Sequence, residues 1–254
     1  MISIDLTGKT ALVTGAAGQL GRVMARTLAR AGADVILHYY SSKEGAEKLS
    51  EEIRKELGVN TMVVTADVGD TESVFAMRDK IAAAGMMPDI IVDNAVVQYS
   101  WTDVLSQAPE DFESQFRSCV MQNVNMAKAF LPAMKEKGWG RMIGTNTECA
   151  MQCFPGQSAY VSGTRGMDGV MRVLAKEVGP FGITVNQVAP GWTISDRDRE
   201  NHTEVQATDE KIPLRRRGTD QEVANAVLFL ASDLASYITG AYLPVCGGNV
   251  MPCI

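Results

Sequence analysis

The sequence predicts an α/β fold, a doubly wound parallel sheet of about seven strands flanked by helices on both faces, in a single domain. Three observations carry this. Short β-branched runs alternate with longer amphipathic stretches from Thr10 onward; a glycine-rich segment follows the first run directly; and glycine pairs such as Gly138 and Gly140 punctuate the joins.

The elements follow in order. Thr10 to Thr14 reads as a strand, Gln19 to Ala31 as a helix, Asp34 to Tyr39 as a strand, Lys43 to Leu57 as a helix and Thr61 to Thr65 as a strand. Parallel strands need crossover helices, so this βαβαβ run implies a parallel sheet. The pattern resumes with the strand Ile90 to Asp93, a long helical stretch from about Asp111 to Lys137, the strand Arg141 to Thr145 and a helix over Ser158 to Val178. Ile183 to Val188 is a further strand, Asp220 to Ala231 a helix and Ala241 to Val245 a last short strand. Trp192 to Lys211 is dense in charge and lacks sustained periodicity. Residues 192–212 therefore read as a lid over a site or as a solvated loop.

Composition narrows the function. With 46% apolar and 21% charged residues over 254 positions, the chain can fill one large core, and no repeat or linker divides it. No apolar stretch approaches the roughly 18 residues a membrane span needs, and no signal-peptide pattern opens the chain, so a cytoplasmic protein with no membrane partner is expected. Five cysteines (Cys119, Cys149, Cys153, Cys246, Cys253) are few and odd in number. They read as reduced thiols, with no metal site. A net charge of -6 without a long basic run argues against nucleic acid as a partner.

After the first strand stands Thr14-Gly15-Ala16-Ala17-Gly18-Gln19-Leu20-Gly21, with a helix opening at its end. Glycines there let the backbone approach a pyrophosphate at the positive end of the helix, the arrangement of a Rossmann-type dinucleotide site. An acidic residue ending the second strand would bind the adenosine ribose and disfavour a 2′-phosphate. Here Tyr39, Tyr40, Ser41, Ser42 and Lys43 supply hydroxyls and a cation but no carboxylate. NADP(H) is therefore expected in preference to NAD(H).

These residues resemble the short-chain dehydrogenase/reductase family, and the resemblance spans nearly the whole chain. Asp67-Val68 is similar to its adenine-binding segment, and Asp93-Asn94-Ala95-Val96 to its Asn-Asn-Ala-Gly motif. The run Pro155 to Tyr160 resembles the approach to its active-site tyrosine. Val185 to Gly191 resembles the segment before the nicotinamide contact, which would fall near Thr193. The C-terminal part, through Gly247-Gly248, is similar to the 3-oxoacyl carrier-protein reductase and glucose dehydrogenase branch. By this resemblance the cofactor contacts are Thr14, Gly15, Gly18, Gln19, Leu20, Gly21, Tyr39, Ser41, Ser42, Asp67, Val68, Asn94, Ala95, Tyr160, Thr164, Pro190, Gly191 and Thr193. Tyr160 and Thr147 are the catalytic pair.

The chain also departs from the pattern. Gln19 stands where the family's spacing puts a glycine, Val96 replaces the last glycine of the fourth-strand motif, and the family's Asn and Ser align with Cys119 and Thr147. The Lys expected four residues after the tyrosine is Thr164. That lysine would hold the nicotinamide ribose and lower the tyrosine pKa from about 10. Without it, Tyr160 remains a suitable acid for reduction but forms little of the phenolate that oxidation requires. Arg165 is adjacent, yet five residues turn a helix through about 500°, leaving it about 140° from Tyr160.

The other candidates near the site carry two readings each. Cys119 reads as helix packing, because neither His38 nor His202 is placed to activate a thiol. Glu148 reads as a substrate contact, a proton acceptor or an exposed carboxylate, and Met151, Phe154 and Trp192 as pocket walls or as core.

Three functions follow. The first is an NADP(H)-dependent oxidoreductase acting on the carbonyl or secondary alcohol of a small polar substrate, with Tyr160 as proton donor. The second is a cofactor-binding protein of this fold with little redox activity, and the third a lyase resembling the halohydrin dehalogenases. The resemblance further implies a homotetramer or homodimer.

Overall fold

The structure, a computed structural model, describes residues 3–251. Cys253 lies outside the described residues. Seven parallel strands form one sheet in the order β3-β2-β1-β4-β5-β6-β7: β1 (Thr10–Val13), β2 (Asp34–Tyr39), β3 (Thr61–Thr65), β4 (Ile90–Asp93), β5 (Gly140–Thr145), β6 (Ile183–Pro190) and β7 (Tyr242–Val245). The order reverses between β1 and β4. Such a reversal opens a crevice at the carboxyl ends of the strands, where ligands of doubly wound sheets bind.

Successive side chains on a strand point to opposite faces, and here both faces are covered. Ala11 and Val13 of β1, with Ile90 and Val92 of β4, pack under α1 (Gln19–Arg30), α2 (Lys43–Leu57) and α9 (Asp220–Ala231). Leu12 and Ile91 pack on the other face under α3 (Thr71–Ala83), α5 (Gln122–Lys137) and α7 (Ser158–Val178), with Phe130 fully buried. Burying a side chain of that kind contributes about 1.5–3 kcal/mol.

Several boundaries differ from the sequence reading. The first helix ends at Arg30, β1 ends at Val13, β5 begins at Gly140, β6 runs on to Pro190 and β7 begins at Tyr242. The long stretch to Lys137 is three segments: α4 (Pro109–Gln115), a π-helical turn over Phe116–Met121, and α5. Two helices had no counterpart in the reading. One is α3, capped by the Asp70 carboxylate accepting the Ser73 N–H at 2.8 Å, and the other is α6 (Cys149–Gln152). The charged stretch is also partly helical, holding α8 (Asp196–Glu200) and a 3-10 turn at Ala207–Lys211. A reciprocal capping box between Ser195 and Asp198 starts α8 and satisfies its first N–H groups.

Candidate active site

A cavity of about 470 Å³ opens at the carboxyl edge of the sheet. Its walls come from the loops after β1, β4, β5 and β6, and from α7 and the π turn. Among the residues expected at the cofactor and the chemistry, it brings together Gln19, Leu20, Asn94, Ala95, Thr147, Tyr160, Thr164, Pro190, Gly191 and Thr193. Thr14, Gly15, Gly18, Gly21, Tyr39, Ser41, Ser42, Asp67 and Val68 are not on its wall but follow or end β1, β2 and β3 on the same edge. Trp192 also lines the cavity. Met151 and Phe154 do not, and Phe154 is half exposed.

The glycine loop is close-packed. Gly15 has φ +61°, and a Cβ there would sit 3.1 Å from Ala95 Cα; a Cβ on Gly21 would come within 2.2 Å of the Gly15 carbonyl oxygen. The backbone thus needs glycine at both positions. No side chain caps α1 and its first turn carries no acidic residue, so this helix N-terminus offers N–H groups and a positive dipole to a phosphate. These features fit a dinucleotide despite Gln19.

Buried polar residues lock the loop in place. The Gly15 N–H donates to Nδ1 of the fully buried His38 at 3.2 Å, while His38 Nε2 bonds the Ala66 carbonyl at 3.0 Å. Burial lowers the His38 pKa, so the ring is neutral with its proton on Nε2. Thr14 Oγ1 donates to Gln122 Oε1 at 2.8 Å and accepts the N–H groups of Asn94 and Ala95 at 2.8 and 3.0 Å. Gln122 Nε2 in turn donates to the carbonyls of Ala95 and Ser118. Gln122 therefore ties the loops on both sides of the crevice to α5.

At the chemistry end, Trp101 stacks on Tyr160 with ring centroids 6.2 Å apart, and the Tyr160 N–H donates to the Tyr99 hydroxyl at 2.8 Å. Burial pushes the Tyr160 phenol above its ordinary pKa, against a smaller opposing pull from the Thr147 side chain; Cys119, Cys149 and Tyr99 add to the rise. Among the described residues, no Lys, Arg or His lines the cavity around it. The Tyr242 hydroxyl donates to the Thr147 carbonyl, and the Asn146 side chain accepts the Thr147 N–H at 2.8 Å, fixing that residue from two sides.

The substituted positions are equally well defined. Thr164 Oγ1 donates to the Tyr160 and Val161 carbonyls of its own helix, at 2.8 and 3.2 Å. Cys119 sits in the π turn on the cavity wall, its thiol pushed up to about 11 by burial, and is therefore a protonated packing group. Arg165 is exposed and absent from the cavity wall. Glu148 is buried, not exposed, and its carboxylate accepts from Asn249 Nδ2 at 3.1 Å.

After β2, Ser41, Ser42 and Lys43 are exposed, with Lys43 Nζ 3.5 Å from Glu47. The Asp67 carboxylate accepts the Gly69 N–H at 2.9 Å and lies 3.5 Å from Arg117. The segment after β6 reaches back over the glycine loop: Gln19 Nε2 donates to the Ile194 carbonyl at 2.8 Å, the Asp196 N–H donates to Gln19 Oε1 at 3.3 Å, and Arg22 pairs with Asp196 at 2.5 Å. Tyr99, Gln122, Gln157 and Tyr242 went unmarked in the sequence reading. Tyr99, Gln122 and Tyr242 bond to Tyr160, Thr14 and Thr147, all remote in sequence, and no motif marks them, whereas Gln157 stands inside the Pro155–Tyr160 run without having been singled out.

A parallel sheet with this crevice, a glycine cradle and a tyrosine–threonine pair in one cavity define a dinucleotide-dependent oxidoreductase fold. The family model described as enoyl-(acyl carrier protein) reductase matches residues 15–249, and the chain belongs to the short-chain dehydrogenase/reductase family. It is 38% identical over 253 residues to the 3-oxoacyl-(acyl-carrier-protein) reductase FabG of Pseudomonas aeruginosa, covering 98% of this chain and 100% of the relative. With the same-named protein of Escherichia coli K12 it shares 36% over 249 residues, covering 98% and 100%.

Among solved structures, it is similar to a gluconate 5-dehydrogenase from Burkholderia cenocepacia in complex with NADP and tartrate (TM-score 0.88, 26% identity, 96% of each chain). It is also similar to an NADPH-bound short-chain oxidoreductase from Pseudomonas aeruginosa PAO1 described as containing an atypical catalytic center (TM-score 0.90, 26% identity, 98% of this chain and 100% of that one).

Proposed function

We propose that this short-chain dehydrogenase/reductase is an NADP(H)-linked enzyme that works chiefly as a reductase of a small polar carbonyl compound, with Tyr160 as proton donor and Thr147 as the partner of the carbonyl oxygen. The observation that carries this is the convergence of both hydroxyl side chains on one cavity beside the glycine loop, with no Lys, Arg or His among the described residues that line it. The exposed hydroxyls and Lys43 after β2, and the NADP- and NADPH-bound neighbours, support NADP(H).

A bound reduced nicotinamide supplies the hydride. The glycine loop and the N-terminus of α1 hold the pyrophosphate, while Pro190, Gly191 and Thr193 border the nicotinamide end. Tyr160 delivers its phenolic proton to the carbonyl oxygen as negative charge develops there, and the Thr147 hydroxyl donates a second hydrogen bond to the same oxygen. Burial keeps Tyr160 protonated, the form reduction needs. Residues 192–212 act as a lid, clasped to the loop through Gln19 and Arg22. Assembly as a homotetramer or homodimer in the cytoplasm completes this reading; the half-exposed Phe116, in a hollow with Phe112 and Ser162, is a surface suited to a second copy.

A second reading, cofactor binding without turnover, is favoured by the loss of the lysine and the asparagine at Thr164 and Cys119. The lyase reading has less support, since the tight glycine cradle is kept and Arg165 is exposed away from the cavity. Titration with NADPH and NADH, followed by reduced-nicotinamide absorbance against a panel of small ketones, separates them. NADPH binding at least about tenfold tighter than NADH, with turnover, is the expected result; binding without turnover of any ketone moves the protein to the second reading, and no nucleotide binding removes both.

A further inference from the structure

The polar groups of the cavity wall are unequally matched. Among the described residues that line it there is no Lys, Arg or His, and Glu148 is the one formally charged side chain. Glu148 is 2% exposed and accepts a hydrogen bond from Asn249 Nδ2 at 3.1 Å, and desolvation raises its pKa. Gln157, 4% exposed on the same wall, has its Oε1 buried without a partner. The Thr145 hydroxyl on this wall is likewise unpartnered. A buried acceptor without a donor is costly, and a ligand that brings donors removes the cost.

Two half-exposed indoles, Trp101 and Trp192, complete the wall. An aromatic face packs against C–H groups and asks for no charge. By contrast, a carboxylate or phosphate entering beside Glu148 would meet a like charge in a water-poor space with no cation to offset it.

We infer that this site selects an uncharged, hydroxyl-bearing ketone or the corresponding polyol, whose hydroxyl groups donate to Glu148 and Gln157, and that it rejects substrates carrying a carboxylate or phosphate. The inference rests on the reading of this cavity as the substrate site. It makes Glu148 and Gln157 specificity-determining residues.

The test is equilibrium binding, read from the fluorescence of Trp101 and Trp192, with the full chain and three matched six-carbon probes: a ketohexose, a 5-ketohexonate and 2-hexanone. The ketohexose should bind at least about tenfold more tightly than either of the others. Glu148→Gln should bring the ketohexonate to within about threefold of the ketohexose, and Gln157→Met should weaken the ketohexose about tenfold while leaving 2-hexanone unchanged. Thermal unfolding of each variant shows that it is folded; if Glu148→Gln is not, the three probes on the unaltered protein decide alone. Ketohexonate binding equal to or tighter than that of the ketohexose overturns the inference, as does a folded Glu148→Gln variant with unchanged selectivity. Selective binding without turnover removes the redox reading and leaves this one standing, whereas turnover of the ketohexonate in preference to the ketohexose does the reverse.

Discussion

The Thr164 hydroxyl donates to the carbonyl oxygen of Tyr160, the residue one helical turn before it, at 2.8 Å. The position that faces the phenol from its own helix is thus occupied by a group whose one proton is already used. Tyr160 is left with a hydroxyl neighbour in Thr147 and, among the described residues on the cavity wall, no Lys, Arg or His.

Placing an ammonium there changes the direction of catalysis. Thr164→Lys puts a cation on the cavity wall, and a nearby positive charge lowers a phenol pKa by about 1–3 units. More phenolate then exists at a given pH, so alcohol oxidation at pH 8 should rise at least about tenfold while ketone reduction at pH 7 changes less than about threefold. Initial rates in both directions across pH 6–10 check this. Equal gains in both directions would detach the phenol pKa from the directional bias.

Removing the proton donor is the complementary experiment. Tyr160→Phe keeps the ring that stacks on Trp101 and deletes only the hydroxyl, so ketone reduction should fall at least about 100-fold with NADPH affinity unchanged. Thr147→Val should cost less, about tenfold in kcat, because one of two hydrogen bonds to the developing oxyanion is lost, and Thr147→Ser should retain most activity. Steady-state kinetics and nucleotide titration measure both effects.

Asp93 ends β4 with both carboxylate oxygens buried and unpartnered, and desolvation raises its pKa well above 3.8. Its register neighbour is Gly144, against which the unpartnered Asn123 Oδ1 also lies. The sign follows from linkage. Below the unfolded pKa both states carry the proton, but above it the unfolded chain releases a proton that the folded chain keeps, so stability falls as pH rises, by about 1.4 kcal/mol per unit, until the folded pKa is reached. Asp93→Asn removes that loss. Denaturant unfolding should show little difference at pH 4 and a gain that grows as the pH is raised toward 7. A gain independent of pH would show that Asp93 is not the group responsible.

Much of this was legible in the sequence. The strands read correctly to within a residue or two because both faces of the sheet are buried and their β-branched runs are bounded by glycine and charge; α2 and α7 matched end to end for the same kind of reason. The α3 helix escaped although its buried residues Val74, Met77 and Ile81 fall on one face at i, i+3 and i+7 and Asp70 three residues before Ser73 marks its cap, because Phe75 and the alanines off that face blur the contrast with the polar side. Tyr160, Thr147 and the glycine loop stand in local motifs. Gln122 and Thr14, 108 positions apart, meet only because β1 and α5 converge at the crevice, and nothing local in either segment announces the contact. The burial of Glu148 was misjudged for a related reason: Asn249, which covers it, comes from 101 residues away.

The π turn at Phe116–Met121 puts α4 and α5 out of phase. One residue more than an α-helical turn holds advances the helix by about 100°, so the stripe that faces the protein interior before the turn is not continued by the same spacing after it. A heptad counted from Asp111 therefore points the wrong way by Lys137. Cys119, in the turn, borders the cavity and also joins Met126 and Phe130 of α5 in the core on this face of the sheet. A one-residue deletion inside the turn would restore continuous phase, so that α4 and α5 could no longer both keep the faces they now turn inward: seating one would rotate the other off its packing.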